Sequence, residues 1–218
     1  MRLTAIATRV VEGLARSRVL SAVLFLALLW ILAVFLAPLS LPPGSLRLAA
    51  DGGANRLDNT AAYDDLHPLV HGTYLVGDIE CHQRPERSLL LNGNQMPLCV
   101  RCTGIFLFAV PGLLAAAGAR PDRSLSRTLL NVLPAAWRDW LERRVGAPVA
   151  AFLLVAAFVA PAALDGFSQL PGWRESTNVL RAITGGLAGV GGGLLVGAMI
   201  TSTREAGRPR TPRAPAPF

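Results

Sequence analysis

"VLSAVLFLALLWILAVFLAPLS", residues 19–40, contains no charged side chain. At 1.5 Å of rise per residue, a helix of this length crosses a hydrocarbon core of about 30 Å. The run exceeds the length usual for the apolar part of a signal peptide, and no small-residue cleavage site follows it, so a retained span is expected. Three further apolar runs share its character: "CTGIFLFAVPGLLAAAGA" from Cys102, "PVAAFLLVAAFVAPAAL" from Pro148, and "VLRAITGGLAGVGGGLLVGAMI" from Val179. The fourth contains one charge, Arg181. The expected fold is all-α: a polytopic transmembrane four-helix bundle with spans at 19–40, 99–119, 148–165 and 179–201.

Composition agrees. The 218-residue chain is 52% hydrophobic and 16% charged, well below the quarter usual for soluble domains. The net charge of +7 does not point to nucleic acid, because aromatics are few and the arginines flank apolar segments instead of forming one stripe. The basic N-terminus, 1–18, holds Arg2, Arg9, Arg16 and Arg18. The loop 120–147 holds six arginines, and the tail 202–218 holds Arg204, Arg208, Arg210 and Arg213. The loop 41–98 is acid-rich, and the short loop 166–178 carries little charge. By the positive-inside rule both termini are cytoplasmic and both of these loops lie outside a cell membrane that the chain crosses several times.

Within loop 41–98, "AAYDDLHPLVHGTYLVGD" is expected to form a short helix on the membrane surface. In loop 120–147, "SRTLLNVLPAAWRDWLERRVG" has apolar residues at helical spacing, interrupted by Pro134, as in an interfacial amphipathic helix. The Pro- and Arg-rich tail reads as disordered and suited to anionic lipid. Gly185, Gly189, Gly193 and Gly197 recur every four residues in span four. Such a ridge admits a close helix neighbour, within the bundle or in a homo-oligomer, and packing within the chain is the expected case.

All three cysteines lie in "CHQRPERSLLLNGNQMPLCVRCTG", residues 81–104. Cys99 and Cys102 form a C-x-x-C at the mouth of span two, where the helix dipole and Arg101 favour thiolate. With Cys81 and His82 they make a set of three cysteines and one histidine, suited to tetrahedral zinc or iron. His67 and His71 are the substitutes should His82 not reach. The same cysteines also suit a redox-active dithiol or a disulfide staple, and spacing alone does not separate the three.

Polar residues from the later spans converge on the same side. "LDGFSQLPGW" brings Asp165 and Gln169, and "ESTNVLRAITGG" brings Ser176, Asn178, Arg181 and Thr184. An arginine inside a span is costly unless paired or functional, and Asp165 is its natural partner. Gln83, Glu86, Arg87 and Ser88 join from the cysteine loop. Polar groups converging beside apolar walls form the usual pattern of a site.

The strings "CHQRPERS", "NGNQMPLCVRCTGIF", "LDGFSQ" and "STNVLRAITG" resemble those of the domain-of-unknown-function 2085 family of predicted prokaryotic membrane proteins, over about residues 81–193. The resemblance implies a small polytopic membrane protein and brings no catalytic assignment with it. It treats Cys81, His82, Cys99, Cys102, Asp165, Gln169, Asn178 and Arg181 as one set.

Three functions follow. A metal-dependent enzyme would act on a lipid or prenyl-phosphate head group, with Arg87, Arg101, Arg181, Gln169 and Asn178 as substrate contacts and Asp165 or Glu86 as general base. A thiol–quinone oxidoreductase would resemble the bacterial disulfide-generating membrane proteins in layout. The chain lacks their cysteine pair in the second outer loop, so Cys81 would serve as the resolving thiol. A non-catalytic scaffold would use the metal as a clamp.

Overall fold

Uncharged runs longer than a bilayer core favour helix, because lipid offers backbone groups no partner. A computed structural model describes residues 2–48, 56–169 and 175–207. The first run forms α2 (Arg18–Leu39), capped by Ser17, whose hydroxyl accepts from the Leu20 N–H at 3.3 Å. The others form α5 (Val100–Gly118), α8 (Ala147–Phe167) and α9 (Asn178–Ala206). These four are long and apolar enough to cross a membrane. At 29 residues, α9 is about 44 Å long, more than a hydrocarbon core of about 30 Å requires.

The N-terminal segment, read from sequence only as basic, is itself a helix, α1 (Arg2–Arg16). Its Val10 and Leu14 pack with Leu20 and Leu24 of α2 and with Leu113 and Ala117 of α5. The amphipathic stretch divides at Pro134 into α6 (Leu125–Leu130) and α7 (Ala135–Val145). Leu129 and Leu130 of α6 pack on Ala150, Ala151 and Leu194 at the same end of the bundle. Parts of the loop 41–98, of the loop 166–178 and of the tail fall in residues 49–55, 170–174 and 208–218, outside the described residues, as do Arg208, Arg210 and Arg213.

The long loop is not featureless. It contains α3 (Thr60–Tyr63), α4 (Pro68–Glu80), a 3-10 turn at Pro85–Arg87, and a hairpin of β1 (Ser88–Leu91) and β2 (Asn94–Cys99). The expectation of purely α structure is therefore corrected by one small antiparallel sheet. Its cause is local: Asn92 and Gly93 both take positive φ, 52° and 74°, as a two-residue hairpin turn requires.

The glycine ridge faces α5 of the same chain. A Cβ at Gly185, Gly189 or Gly193 would run into the backbone oxygens of Arg101, Ile105 and Ala109. That contact occupies the ridge within the chain. The starts of α5 and α9 lie together, and the end of α8 joins them. The α1–α2 junction, the end of α5 and the end of α9 meet at the opposite end of the bundle.

Candidate metal centre and arginine pocket

The hairpin register sets Ser88 opposite Cys99, so β2 delivers Cys99 directly to the first turn of α5, where Cys102 follows. Cys81 closes α4, and the Cys99 N–H points at its Sγ, 3.3 Å away. The sulfurs of Cys81, Cys99 and Cys102 all lie within 4.8 Å of one another. A tetrahedral thiolate site with metal–sulfur bonds of about 2.3 Å has sulfurs about 3.8 Å apart, so the three sulfurs are close enough together to share one metal ion. All three thiols are free, and Cys81 is 1% exposed. The Cys102 thiol draws the Cys81 pKa down, but contact with Cys99 and burial outweigh it and raise Cys81 to about 11. Crowded thiols resist losing a second proton, a conflict that a bound cation removes.

His82 is exposed and lies outside the sulfur cluster. The group among the described residues is therefore three cysteines alone, without the histidine expected to complete it. Cys81 closes α4 in extended conformation, and the neighbouring His82 lines the cavity beside the sulfurs without joining their cluster. Neither substitute reaches. His67 caps the far end of α4 and accepts from the Leu69 N–H, while the His71 ring meets the Tyr63 carbonyl at 3.1 Å.

A buried polar knot behind Cys81 holds the loop in place. Gln83 takes φ 48°, unusual for a non-glycine residue. It is fully buried, and its Nε2 donates to the Tyr74 and Pro97 carbonyls at 3.0 and 2.9 Å. Its Oε1 accepts from Asn59 Nδ2 at 3.3 Å. Asp78 accepts from the Asn59 N–H, Asn59 Nδ2 and the Tyr63 hydroxyl. Burial first, and then the Asp78 hydrogen bond, pushes the Tyr63 phenol well above its ordinary value. Gln95 donates to the Gln83 carbonyl and accepts from the Leu48 N–H. Asn94 bonds Pro38, Pro42 and Leu46, fastening the end of α2 to the hairpin. Sequence placed Gln83 among the polar groups of the site, whereas it is spent on this interior knot. The structural roles of Asn59, Asp78, Asn94 and Gln95 were not foreseen. The Asn92–Gly93 pair was the available signal for the hairpin, but an isolated amide side chain carries none for burial.

Of the polar residues expected at the site, Arg87, Arg101 and Arg181 stand beside the cluster, with one exchange of partners. Asp165, 3% exposed, makes its ion pair with Arg101 and accepts from Ser176 Oγ at 2.9 Å. Arg181, expected opposite Asp165, donates instead to Asn178 Oδ1 at 3.1 Å and Gln169 Oε1 at 3.3 Å. Arg101, in the first turn of α5, faces the end of α8 and takes the carboxylate first. Glu86 is exposed; its backbone carbonyl accepts from Asn178, and its carboxylate sits 3.8 Å from Arg87. Thr184 bonds its own helix.

A cavity of about 220 Å³ opens beside the sulfurs. Arg84, Arg87, Arg101 and Arg181 line it with the three cysteines, His82 and Glu80. The Nε atoms of Arg87 and Arg101 are buried without a hydrogen-bond partner among the described residues. Arg84 and Glu80 are additions to the set foreseen from sequence.

Four apolar helices, with a cysteine cluster at the end where α5 and α9 begin, define a membrane protein. The family described as a predicted membrane protein (DUF2085) matches residues 81–195, over half of the chain, and the chain belongs to that family. It is 37% identical over 111 residues to a protein of Methanothermobacter thermautotrophicus described as uncharacterized, covering 51% of this chain and 78% of that one. A Methanocaldococcus jannaschii protein, likewise described as uncharacterized, is 33% identical over 116 residues, covering 53% of this chain and 60% of that one. No solved structure matches significantly. The family match begins at Cys81, so it takes in the cysteines and all four pocket arginines, and leaves α1 to α4 outside.

Proposed function

We propose that the protein is a multi-pass cell-membrane enzyme that binds zinc or iron through Cys81, Cys99 and Cys102 and acts on the phosphate-bearing head group of a lipid or prenyl substrate. The observation that carries this is the sulfur cluster forming one wall of an arginine-lined cavity. Three protein ligands would leave a further coordination position for water or substrate, as catalytic sites do and closed structural sites do not. When bound, the metal would supply Lewis acidity and an activated water. Arg87, Arg101 and Arg181 would bind and orient the phosphoryl oxygens, with Asn178 and Gln169 fixing Arg181. Asp165 is spent on orienting Arg101 and excluded from solvent, so the general-base role suits Glu86 or the pocket-lining Glu80 better. By arginine placement the centre faces the outside and both termini face the cytoplasm.

Metal analysis of purified protein with thiol titration tests this. One equivalent of zinc or iron is expected, lost in Cys99→Ser. Membrane-impermeant thiol reagents applied to intact cells should reach the half-buried Cys99 and Cys102 after chelation, and failure to label them would reverse the topology.

The second reading is a thiol–quinone oxidoreductase, and the free state of three thiols in mutual reach favours it. Metal-free protein whose Cys99–Cys102 dithiol is oxidised by quinone would establish it in place of the first. Metal present with no open position would leave only a clamp in a membrane scaffold.

A further inference from the structure

We propose that the arginine pocket binds the terminal phosphoryl group of a phosphomonoester as its dianion and discriminates against phosphodiesters; this rests on the substrate class proposed above and narrows it. At about 220 Å³ the cavity falls below the roughly 300 Å³ at which pockets for whole drug-sized ligands begin. It equals the share of about seven water molecules. It therefore holds a head group while the remainder of the ligand stays outside.

The charges select which head group. Arg101 is met by Asp165. Arg181 is 5% exposed, yet the groups that fix it, Asn178 and Gln169, are neutral amides. They hold its orientation without cancelling its charge, and a guanidinium has five N–H donors, so donors remain for a ligand. Arg87 approaches Glu86 and Glu175 only at 3.8 and 3.9 Å, and those carboxylates are 52% and 84% exposed. Solvent screens such contacts heavily. Two cationic groups thus face the cavity with incomplete compensation, Arg181 from α9 and Arg87 from the 3-10 turn. Arg84 and the exposed Glu80 offset each other in net charge at the lining.

A phosphodiester brings one negative charge and two terminal oxygens. A phosphomonoester near neutral pH brings nearly two charges and three oxygens, which suit a pair of arginine forks. A carboxylate supplies one charge and would satisfy one fork only.

Calorimetric binding of short-chain phosphatidic acid, short-chain phosphatidylglycerol and inorganic phosphate to the full-length protein in nanodiscs tests this. Phosphatidic acid should bind at least about tenfold more tightly than phosphatidylglycerol, and Arg181→Gln and Arg87→Gln should each lose about tenfold or more. Inorganic phosphate matching phosphatidic acid would support the pocket chemistry and assign the source to free phosphate; weaker binding of phosphate would assign it to a lipid. Equal affinity for monoester and diester, or unchanged affinity in Arg87→Gln with its thiol count intact, would overturn the proposal. Arg87→Gln decides if Arg181→Gln fails to fold. Protein that binds metal without this discrimination sinks the phosphomonoester inference alone. Metal-free protein that discriminates sinks the metal reading alone.

Discussion

The seam between α5 and α9 and the polar knot behind Cys81 hold the molecule together by opposite means. Along the seam, glycines let one helix backbone lie on another, and Gly185, Gly189, Gly193 and Gly197 are all buried. In the knot, Asn59, Asp78, Gln83 and Gln95 are buried, and each uses its side chain to satisfy another polar group. The difference follows from the surroundings. In a membrane, apolar side chains gain nothing by leaving lipid for a neighbouring helix, so close packing must supply the attraction. Outside the spans, irregular chain leaves backbone groups that regular structure would have paired, and buried amides take that place. The site sits where the two regions meet: Cys102 and Arg181 ride on the seam, and Cys81 and Cys99 are set by the knot.

Four substitutions or conditions separate the two regions. The largest effect is expected for Gly189→Leu, which forces a side chain into the Ile105 carbonyl. A loss of about 3 kcal/mol or more, or failure to accumulate folded protein, should appear in thermal unfolding in detergent. Gln83→Ala should spare the helical content but remove the hydrogen bonds that Gln83 makes to the Tyr74 and Pro97 carbonyls and to Asn59 Nδ2. About 2 kcal/mol of stability should be lost, with metal affinity falling about 10-fold to 100-fold by competition with a chelator. Wild-type affinity in Gln83→Ala would show that the seam alone positions the cysteines.

Alkaline titration gives a smaller effect of known sign. Tyr63 has its pKa raised by burial and by Asp78, so its contribution is complete below the unfolded value of about 10 and is lost as pH rises beyond it. Thermal stability should fall above about pH 10, and Tyr63→Phe should flatten that fall. The smallest effect is expected for His82→Ala. The ring is exposed and outside the sulfur cluster, so stability should change by less than about 0.5 kcal/mol with metal stoichiometry unchanged. Loss of metal in this variant would restore the histidine as a fourth ligand.

Much of this was legible in the sequence, for reasons particular to each residue. The absence of charge in 19–40 suffices for a helix across lipid, since nothing else satisfies the backbone there. The gathering of Asp165, Gln169, Asn178 and Arg181 follows from their places at the ends of successive antiparallel spans. The hairpin had its signal in Asn92–Gly93, a turn chemistry that length and hydropathy conceal. The α1 helix had its signal in the spacing of Val10 and Leu14, hidden behind the basic residues around it.

What the sequence determined by itself is the number of apolar spans, which residues flank them and which end carries the thiols, because hydropathy and chain direction act along the chain without needing a partner. The tertiary structure decided which arginine takes Asp165, that the histidine stays out of the sulfur cluster, and that Gln83 and Gln95 are interior residues. Those outcomes depend on side-chain direction and on competition among neighbours far apart in sequence, and short-range pattern carries neither.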